Sequence, residues 1–432
     1  MIELDTIVAP ATPPGRSALA IVRMDGPRSN AILTAISGAG LPAERTATLL
    51  RLNGIDECIV VRYEAPRSFT GNDLVELTLH GNPLLIDRAI EACTALGARM
   101  AEPGEFTERA VLNGKLDLVQ AESIADLINA RTTLQAKLSL SNLEGMLSRK
   151  ASAIRQTLLD VISRLEAALD FSEEGYEFIT RDEARASIDG ALRDSEAMRE
   201  TYRRGRATRA GLSAVILGRP NAGKSTLLNR LVGSDRAIVT PIPGTTRDIV
   251  RETIEIGGLP VTFADTAGLR ASDDVVEGMG IERAREAART ANIVLYLVDG
   301  MTGMTADDEQ ELGRLENVEV VFTKADLMRR GGLSISAVSD EGMARLLGRL
   351  DELVRERFAS PEGALVNERQ RSAVAECEEA LTAARSALDS GFAEQMIVAD
   401  LYRAANALGV LTGAITREDV LSEIFGKFCI GK

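Results

Sequence analysis

Two different spacings of apolar and polar residues follow one another in the first half of the chain. Residues 1–117 hold short β-prone runs, at 18–23, 58–63 and 74–79, separated by Gly and Pro turns, which predicts a mixed α/β domain. From Leu118 to Tyr202 proline is almost absent and apolar residues recur at helical spacing, which predicts long amphipathic helices. An acidic interruption at 170–177 is expected to separate two of these helices. The apolar stripe of the first one is Ile154, Leu158, Val161, Leu165 and Ala168.

The second half of the chain changes its pattern twice. A basic, Gly-containing stretch at 205–211 is predicted to be a linker. After it, nearly continuous apolar runs alternate with helical segments up to about residue 358, as in a doubly wound sheet whose strands are covered on both faces. From Glu368 onward the pattern is helical again. The two helical blocks most simply pack into one domain, and the alternative is two independent bundles. The predicted strands are 213–217, 260–264, 293–298 and 318–322.

Composition restricts the classes of function. The 432 residues are 45% hydrophobic but only 3% aromatic, so the cores must be mainly aliphatic. A formal charge of −14 argues against a broad nucleic-acid-coating surface, so RNA would need a local patch or a partner protein. Four cysteines form no CxxC pair, which offers no zinc site and fits a reducing cytosol. The acidic first residues and the lack of an apolar run of roughly 20 residues predict a cytoplasmic protein with no membrane span.

The chain has a single histidine, His80, which excludes mechanisms that need two histidines. A Ser-His-Asp triad would have to use this residue. Its place in a His-Gly-Asn-Pro turn favours a surface or structural role instead.

The strongest motif is a phosphate-binding loop at 218–225, with the sequence Gly-Arg-Pro-Asn-Ala-Gly-Lys-Ser. Gly218 and Gly223 let the backbone turn tightly and approach phosphate oxygens. Lys224 is expected to meet the β- and γ-phosphates, and the Ser225 hydroxyl is expected to bind Mg²⁺. Other candidate nucleotide contacts in and after the loop are Asn221, Ala222 and Thr226.

Two further motifs follow in the order found in GTPases. Gly-Thr-Thr-Arg-Asp stands at 244–248, and its Thr246 can close on Mg²⁺ as a switch residue does. Asp265 ends a predicted strand and would hold a water of the Mg²⁺, and the Gly268 N–H would face the γ-phosphate. Thr266 and Ala267 complete that motif.

Leu269 stands where Ras-like GTPases carry a water-positioning Gln, so catalysis must orient water in another way. Glu277 is a candidate for that role. By spacing alone, a solvated surface charge is the favoured reading of Glu277.

A fourth motif, Thr-Lys-Ala-Asp at 323–326, predicts the base. The carboxylate of Asp326 can accept two hydrogen bonds from the ring N–H and the amino group of guanine, and adenine lacks that pair of donors. Thr323 replaces the usual Asn, so one amide tether is lost, and Lys324 completes the motif. Ser336 and Ala337 are expected to supply a further contact near the base. Four motifs in order predict a GTP-hydrolysing domain and disfavour a P-loop kinase.

The spacing of apolar and polar residues and the motifs together predict an α/β plus all-α fold. An N-terminal α/β domain is expected at 1–117. A helical domain would be formed by 118–210 and 361–432, and a doubly wound P-loop GTPase domain would be inserted at 211–360.

The whole chain resembles the MnmE family (also called TrmE) of tRNA-modifying GTPases. GTPase motifs alone would not separate this family from ribosome-assembly GTPases such as Era or Der. The residues that carry the resemblance outside those motifs are 11–16 (Ala-Thr-Pro-Pro-Gly-Arg), 69–71 (Phe-Thr-Gly), 103–110 (Pro-Gly-Glu-Phe-Thr-Glu-Arg-Ala), 113–118 (Asn-Gly-Lys-Leu-Asp-Leu) and 429–432 (Cys-Ile-Gly-Lys).

The resemblance implies chemistry on tRNA. With an FAD-containing partner, MnmG (also called GidA), family members add an aminomethyl-type or carboxymethylaminomethyl group at carbon 5 of the wobble uridine. The one-carbon unit comes from 5,10-methylene-tetrahydrofolate, for which 5-formyl-tetrahydrofolate is a binding probe, and FAD is expected on the partner. Arg23, Glu76, Lys115 and Lys432 match the folate-site residues. Cys429 has either a covalent role near the folate or an anchoring role for the tail.

The resemblance also implies a K⁺-activated GTPase that forms a homodimer through its N-terminal domain. Glu277 aligns with the family's water-orienting glutamate, and Arg247 belongs to the same switch as Thr246. A regulatory GTPase switch in ribosome assembly, without folate chemistry, is the alternative function. The residues that match the family's K⁺ site are Asn221, Thr240, Ile242 and Thr245.

Overall fold

The computed structural model describes residues 5–171, 178–234, 236–238, 251–264, 286–390, 392, 394–415, 421 and 424–431. The chain folds into two compact units. One unit contains residues 1–125 and 408–432, and the other contains residues 126–407.

The first unit is built on a mixed sheet. Among the described residues the strand order is β3-β4-β5-β2-β1-β6, with β1 and β6 parallel and the other neighbours antiparallel. The strands predicted near 18–23, 58–63 and 74–79 are confirmed as β2, β4 and β5. The elements are β1 (Ile7–Pro10), β2 (Leu19–Asp25), α1 (Ser29–Ser37), β3 (Thr48–Leu52), β4 (Asp56–Tyr63), β5 (Leu74–His80), α2 (Pro83–Ala95), β6 (Arg99–Met100), α3 (Glu105–Leu112) and α4 (Leu118–Asn129).

Helices α1 and α2 cover one face of this sheet. Val22 and Leu77 point into the apolar core that these helices share with the strands. Because successive residues of a strand point to opposite faces, Arg23 and Glu76 project from the other face. The alternation of β2 and β5 thereby places this charged pair outside the main core.

The second unit begins with helices. The stripe predicted from Ile154 to Leu165 is buried on α6, which confirms the long helix. Helix α6 ends at Asp170 and the next helix begins at Arg181, as expected, and residues 172–177 of the acidic segment lie outside the described residues. The capping box of Thr180 and Glu183 starts that second helix. The helices are α5 (Thr133–Leu143), α6 (Met146–Asp170), α7 (Arg181–Glu200) and α8 (Tyr202–Ala210).

A doubly wound sheet follows. Among the described residues the strand order is β11-β10-β7-β9-β8, and only the β8–β9 pair is antiparallel. The four predicted strands are confirmed as β7, β9, β10 and β11. The elements are β7 (Leu212–Gly218), α9 (Lys224–Val232), β8 (Arg251–Ile256), β9 (Leu259–Ala264), β10 (Ile293–Asp299), α10 (Ala306–Leu312), β11 (Val318–Thr323), α11 (Met343–Phe358), α12 (Glu368–Asp389) and α13 (Glu394–Thr412).

The predicted linker at 205–211 is wrong for most of its length, because α8 runs to Ala210. Gly205 lies inside this helix, and a Cβ there would clash with the carbonyl oxygen of Leu365. The glycine therefore reflects a close backbone approach and not a flexible joint. The underside of α8 is made of small residues, which is why no apolar stripe signals the helix.

Helices from the two helical blocks of the sequence pack against each other. Ser195 on α7 lies 3.7 Å from Cys377 on α12, measured between Oγ and Sγ, and both side chains are buried. Arg199 and Glu378 form an ion pair at 2.7 Å between the same two helices. The domain boundaries given above, at 117, 210 and 360, stay a prediction.

Candidate functional site

The phosphate-binding loop connects β7 to α9. Gly218 has a φ of +139°, and a Cβ at this position would clash with the carbonyl oxygen of Leu297. Asn221 and Gly223 also adopt left-handed φ values, of +63° and +89°, which curl the loop before α9 begins. The first N–H groups of a helix have no acceptor inside it, so the start of α9 can bind an anion.

Lys224 is held inside this loop. Its Nζ donates to the carbonyl oxygens of Gly218 and Arg219, each at 2.8 Å. Ser225 and Thr226 follow in the first turn of α9, and both are exposed. The loop thus presents an ammonium, a hydroxyl and a helix N-terminus together, which fits a phosphate chain with Mg²⁺.

Thr323 connects this loop to the base-reading motif. Its Oγ1 donates to the carbonyl oxygen of Ala222 at 2.9 Å and also lies 3.3 Å from that of Val298. The Thr323 side chain is buried. The side-chain amide of the usual Asn is absent, as the sequence indicates, and the Thr323 hydroxyl connects β11 to the phosphate loop instead.

Lys324 and Asp326 have different surroundings within this motif. Lys324 has a φ of +58°, and its Nζ is 2.6 Å from Oδ2 of Asp299. Burial acts to raise the pKa of Asp299, but the hydrogen bonds from Lys324 and from the Met301 N–H, together with the charge of Lys324, outweigh it and the pKa is lowered. Asp326 is exposed, and its carboxylate has no hydrogen bond or ion pair with the described residues. This carboxylate is available to a base.

The loop that contains Ser336 and Ala337 lies beside this motif. The Ala325 N–H donates to the carbonyl oxygen of Ile335 at 3.0 Å. Ser336 is almost fully buried, and its Oγ accepts from the Ser339 N–H. The structure therefore brings the two predicted base contacts next to each other.

Several predicted nucleotide and cation ligands lie outside the described residues and stay predictions, as does the folate-site Lys432. They are Thr240, Ile242, Thr245, Thr246, Arg247, Asp265, Thr266, Ala267, Gly268, Glu277 and Lys432.

In the first unit, the register of β2 and β5 places Arg23 opposite Glu76. The Arg23 Nη2 lies 2.7 Å from Oε1 of Glu76, and each side chain is 21% exposed. The Arg23 guanidinium lies 5.6 Å from the ring centre of Phe69 and 5.7 Å from that of Phe106. Phe106 is fully buried and supports Arg23 from the core side, whereas Phe69 is exposed. A flat polar ring can therefore hydrogen-bond to the ion pair and stack on Phe69.

Lys115 lies near the same loop. Its Nζ donates to the carbonyl oxygen of Pro66 at 3.1 Å, and its side chain passes beside Gly71. The loop from Pro66 to Gly71 contains Phe69. Two of the predicted folate-site residues are thus joined directly, and the third contacts the loop that flanks them.

A buried network that sequence reasoning missed supports this loop. Asp25 is fully buried and accepts hydrogen bonds from the Thr70 hydroxyl, from Asn72 Nδ2 at 3.0 Å and from Arg109 Nη1 at 3.1 Å. Burial raises the pKa of Asp25 in spite of these partners. Asn113 Nδ2 donates to the Thr70 carbonyl oxygen at 2.7 Å. Thr70, Arg109 and Asn113 stand in the motifs that carry the family resemblance, but a single sequence gives no signal for Asp25.

His80 and Cys429 were the other reactive candidates. His80 is exposed, and its Nδ1 lies 2.9 Å from Oδ1 of Asp56, a surface contact that agrees with the favoured role. The Cys429 side chain is exposed, and its carbonyl oxygen accepts from the Gly104 N–H at 3.4 Å. Ile430 then forms an isolated bridge with Pro103. The segment is anchored by its backbone.

In the described part of the chain, no three His, Cys, Asp or Glu side chains are grouped so that they could hold a metal ion. Within those same ranges no helix is both long and apolar enough to cross a bilayer.

Comparison with known proteins covers almost the whole chain. Residues 6–115 match the family model "GTP-binding protein TrmE N-terminus", and residues 118–429 match the model "MnmE helical domain". A tRNA modification GTPase MnmE from Koribacter versatilis is 42% identical over 99% of each chain. The corresponding proteins of Symbiobacterium thermophilum and Aquifex aeolicus are 40% and 36% identical, again over 99% of this chain. The protein therefore belongs to the MnmE (TrmE) family of tRNA modification GTPases.

Proposed function

We propose that this chain is a K⁺-activated, Mg²⁺-dependent GTPase that modifies tRNA together with an FAD-containing partner. The observation that carries the proposal is the Thr323 hydroxyl, which joins the phosphate loop to the segment bearing the open carboxylate of Asp326. A guanine nucleotide would place its phosphates at Lys224 and its base at Asp326. When bound, Mg²⁺ would offset charge on the phosphates, and the exposed hydroxyl of Ser225 would be one of its ligands.

Base selectivity tests this site directly. Replacing Asp326 by Asn exchanges an acceptor for a donor at the guanine N–H groups, so GTP affinity should fall roughly 100-fold while affinity for xanthosine triphosphate rises. Titration with fluorescent nucleotides measures both. The exposed Asp194 offers a matched control, since Asp194→Asn changes the same charge on α7. Unchanged GTP affinity in Asp326→Asn would remove the base assignment.

Potassium activation is proposed from Asn221, whose exposed amide has no hydrogen bond with the described residues. A monovalent cation held by this amide and by nearby backbone carbonyls would offset charge that develops between the β- and γ-phosphates. We expect turnover to fall on the order of 100-fold when K⁺ is replaced by Na⁺. Asn221→Ala should abolish the difference between the two salts. Equal rates of the unaltered protein in both salts would contradict the role of Asn221.

The tRNA chemistry is proposed from family membership together with the site around Arg23. Acting as a homodimer with an MnmG-type flavoprotein, the chain would form 5-aminomethyl or 5-carboxymethylaminomethyl groups on the wobble uridine. A bound 5,10-methylene-tetrahydrofolate would supply the one-carbon unit. Glu76 can accept from the amino-pyrimidine edge of the pterin, the exposed ring of Phe69 can stack on it, and Lys115 suits the glutamate carboxylates.

A titration with 5-formyl-tetrahydrofolate tests the folate site. We expect saturable binding by the unaltered protein and at least tenfold weaker binding by Arg23→Ala, because Glu76 would lose its arginine partner. Arg51→Ala, at another exposed position of the same sheet, is the control. Absence of folate binding by the unaltered protein would favour a regulatory GTPase without folate chemistry. Uridine modification assayed with the copurified flavoprotein then tests the complete activity.

A further inference from the structure

Four arginines lie at helical spacing where α7 passes into α8. They are Arg199, Arg203, Arg206 and Arg209, separated by four, three and three residues. Thr201, between the two helices, keeps helical dihedrals of φ −69° and ψ −20°. Residues three or four apart share one face of a helix, and ten residues rise about 15 Å. We call these four residues the arginine stripe.

The central pair of the stripe is unengaged. Arg203 and Arg206 are exposed, and neither guanidinium forms a hydrogen bond or ion pair with any described residue. The two outer arginines are paired, Arg199 with Glu378 and Arg209 with Asp126, each at 2.7 Å. The outer charges are therefore compensated, and the inner two are open to an anion.

A further open arginine lies beside the end of the stripe. The Gln135 side chain accepts from the Arg131 N–H at 2.8 Å and donates to the Arg209 carbonyl oxygen at 3.0 Å. This side chain fixes the backbone of residue 131 next to the end of α8. Arg131 is exposed, and its guanidinium also has no partner among the described residues.

The underside of α8 is rigidly seated, since Gly205, Ala207 and Thr208 are buried. Three acidic side chains near the stripe are engaged: besides the two pairs above, Glu368 forms an ion pair with Arg371. Glu196 and Glu200 are exposed acidic neighbours within the same helical run, beside Arg199 and Arg203. Open guanidiniums on a fixed helix, in a chain of net charge −14, mark a place where a polyanion can approach.

We propose that the arginine stripe, with Arg131, binds the phosphodiester backbone of tRNA. This inference rests on the proposed function, in which tRNA is the substrate. A planar guanidinium binds a phosphate by two parallel hydrogen bonds, and a row of them about 5–6 Å apart at Cβ suits consecutive phosphates. Such contacts position an RNA without reading its sequence.

The test measures binding of fluorescently labelled bulk tRNA to the full chain by anisotropy, over a series of salt concentrations. Arg203→Ala/Arg206→Ala should weaken binding about tenfold or more and lower the slope of log affinity against log salt by about 1.4 to 1.8, the value for two lost phosphate contacts. Arg203→Glu/Arg206→Glu should weaken it further. Turnover of GTP by each variant shows that the protein remains folded.

The matched control is Arg164→Ala/Arg345→Ala, which removes the same charge from exposed positions on α6 and α11. This variant should bind tRNA like the unaltered protein. Equal weakening in both double variants would show a general charge effect and overturn the proposal. So would normal tRNA binding by the stripe variants, and loss of flavoprotein binding in them would then assign the surface to that protein.

Failure of the unaltered protein to bind tRNA at any salt concentration has a different meaning. It would overturn the tRNA part of the proposed function and the assignment of the stripe with it. Normal tRNA binding by the unaltered protein and by the stripe variants would overturn the stripe alone.

Discussion

Replacing Thr323 by valine tests whether the hydroxyl holds the nucleotide site together. Valine keeps the branched shape of the buried side chain and removes the donor to the Ala222 carbonyl oxygen. A hydrogen bond of this kind contributes about 1 kcal/mol net, and leaving a buried acceptor unpaired costs about 1–3 kcal/mol. Val298 belongs to β10, whose ladder with β11 remains, so the Ala222 bond accounts for most of the loss.

If the bond sets the distance between the phosphate loop and the base-reading motif, the cost will be seen in nucleotide affinity. A loss of about 1–2 kcal/mol corresponds to a dissociation constant for GDP about 5- to 30-fold higher. Selectivity for guanine over adenine should be unchanged, because Asp326 reads the base.

The assay is titration with a fluorescent GDP analogue, with Thr323→Ser as the control that keeps the hydroxyl. The serine variant should bind within a few-fold of the unaltered protein, and Thr323→Asn should also bind well because its amide can reach the same carbonyl. If Thr323→Val binds GDP within twofold of Thr323→Ser, the hydroxyl does not connect the two parts of the site.

Three further predictions concern packing and reactivity. Burial raises the pKa of the Cys58, Cys93 and Cys377 thiols to about 12, whereas Cys429 is exposed. A thiol reagent at pH 8 should therefore modify one cysteine per native chain and four in denaturant, and any higher native count would contradict the burial. Gly205→Ala should lower the melting temperature, since overpacking costs about 1–3 kcal/mol. Gly348→Ala on α11 has open space around the added Cβ and should raise the melting temperature slightly. Equal effects of the two substitutions would refute the close approach at Leu365. Arg109→Met leaves the carboxylate of Asp25 buried without its cation and should lower the free energy of unfolding, measured in urea, by about 3–5 kcal/mol. Arg99→Met, at the more exposed end of the network, should lower it by less than about 1 kcal/mol. Similar losses in the two methionine variants would show that burial does not determine the cost.

The strands of the second unit were predictable because they are buried on both faces, which leaves nearly unbroken apolar runs. Strand β8 was missed because it pairs at the sheet edge and is apolar only at alternate positions, Ile254 and Ile256. A search for period-two alternation would have found it. Helix α8 was mistaken for a linker because its buried side is made of Gly205, Ala207 and Thr208, which carry no helical hydrophobic signal.

The phosphate loop was predictable because its chemistry is local in sequence. The support for the Arg23 site was not, since Asp25 and Arg109 are 84 residues apart and only folding brings them within 3.1 Å. Thr323 illustrates a third case. The sequence shows that Thr323 stands in place of the usual Asn. Whether its hydroxyl can substitute for the Asn amide depends on where the Ala222 carbonyl oxygen lies, and only the structure shows this.

The apolar cluster of Leu118 and Ala121 with Leu421, Ile424 and Phe425 has a consequence for synthesis on the ribosome. The two sides of this cluster are 421 − 118 = 303 positions apart in the chain. At about 5–20 residues per second, a ribosome needs roughly 15–60 s to make the second side after the first. During that interval Leu118 and Ala121 lack their cover, so the nascent chain presents a hydrophobic surface to chaperones until Leu421, Ile424 and Phe425 emerge.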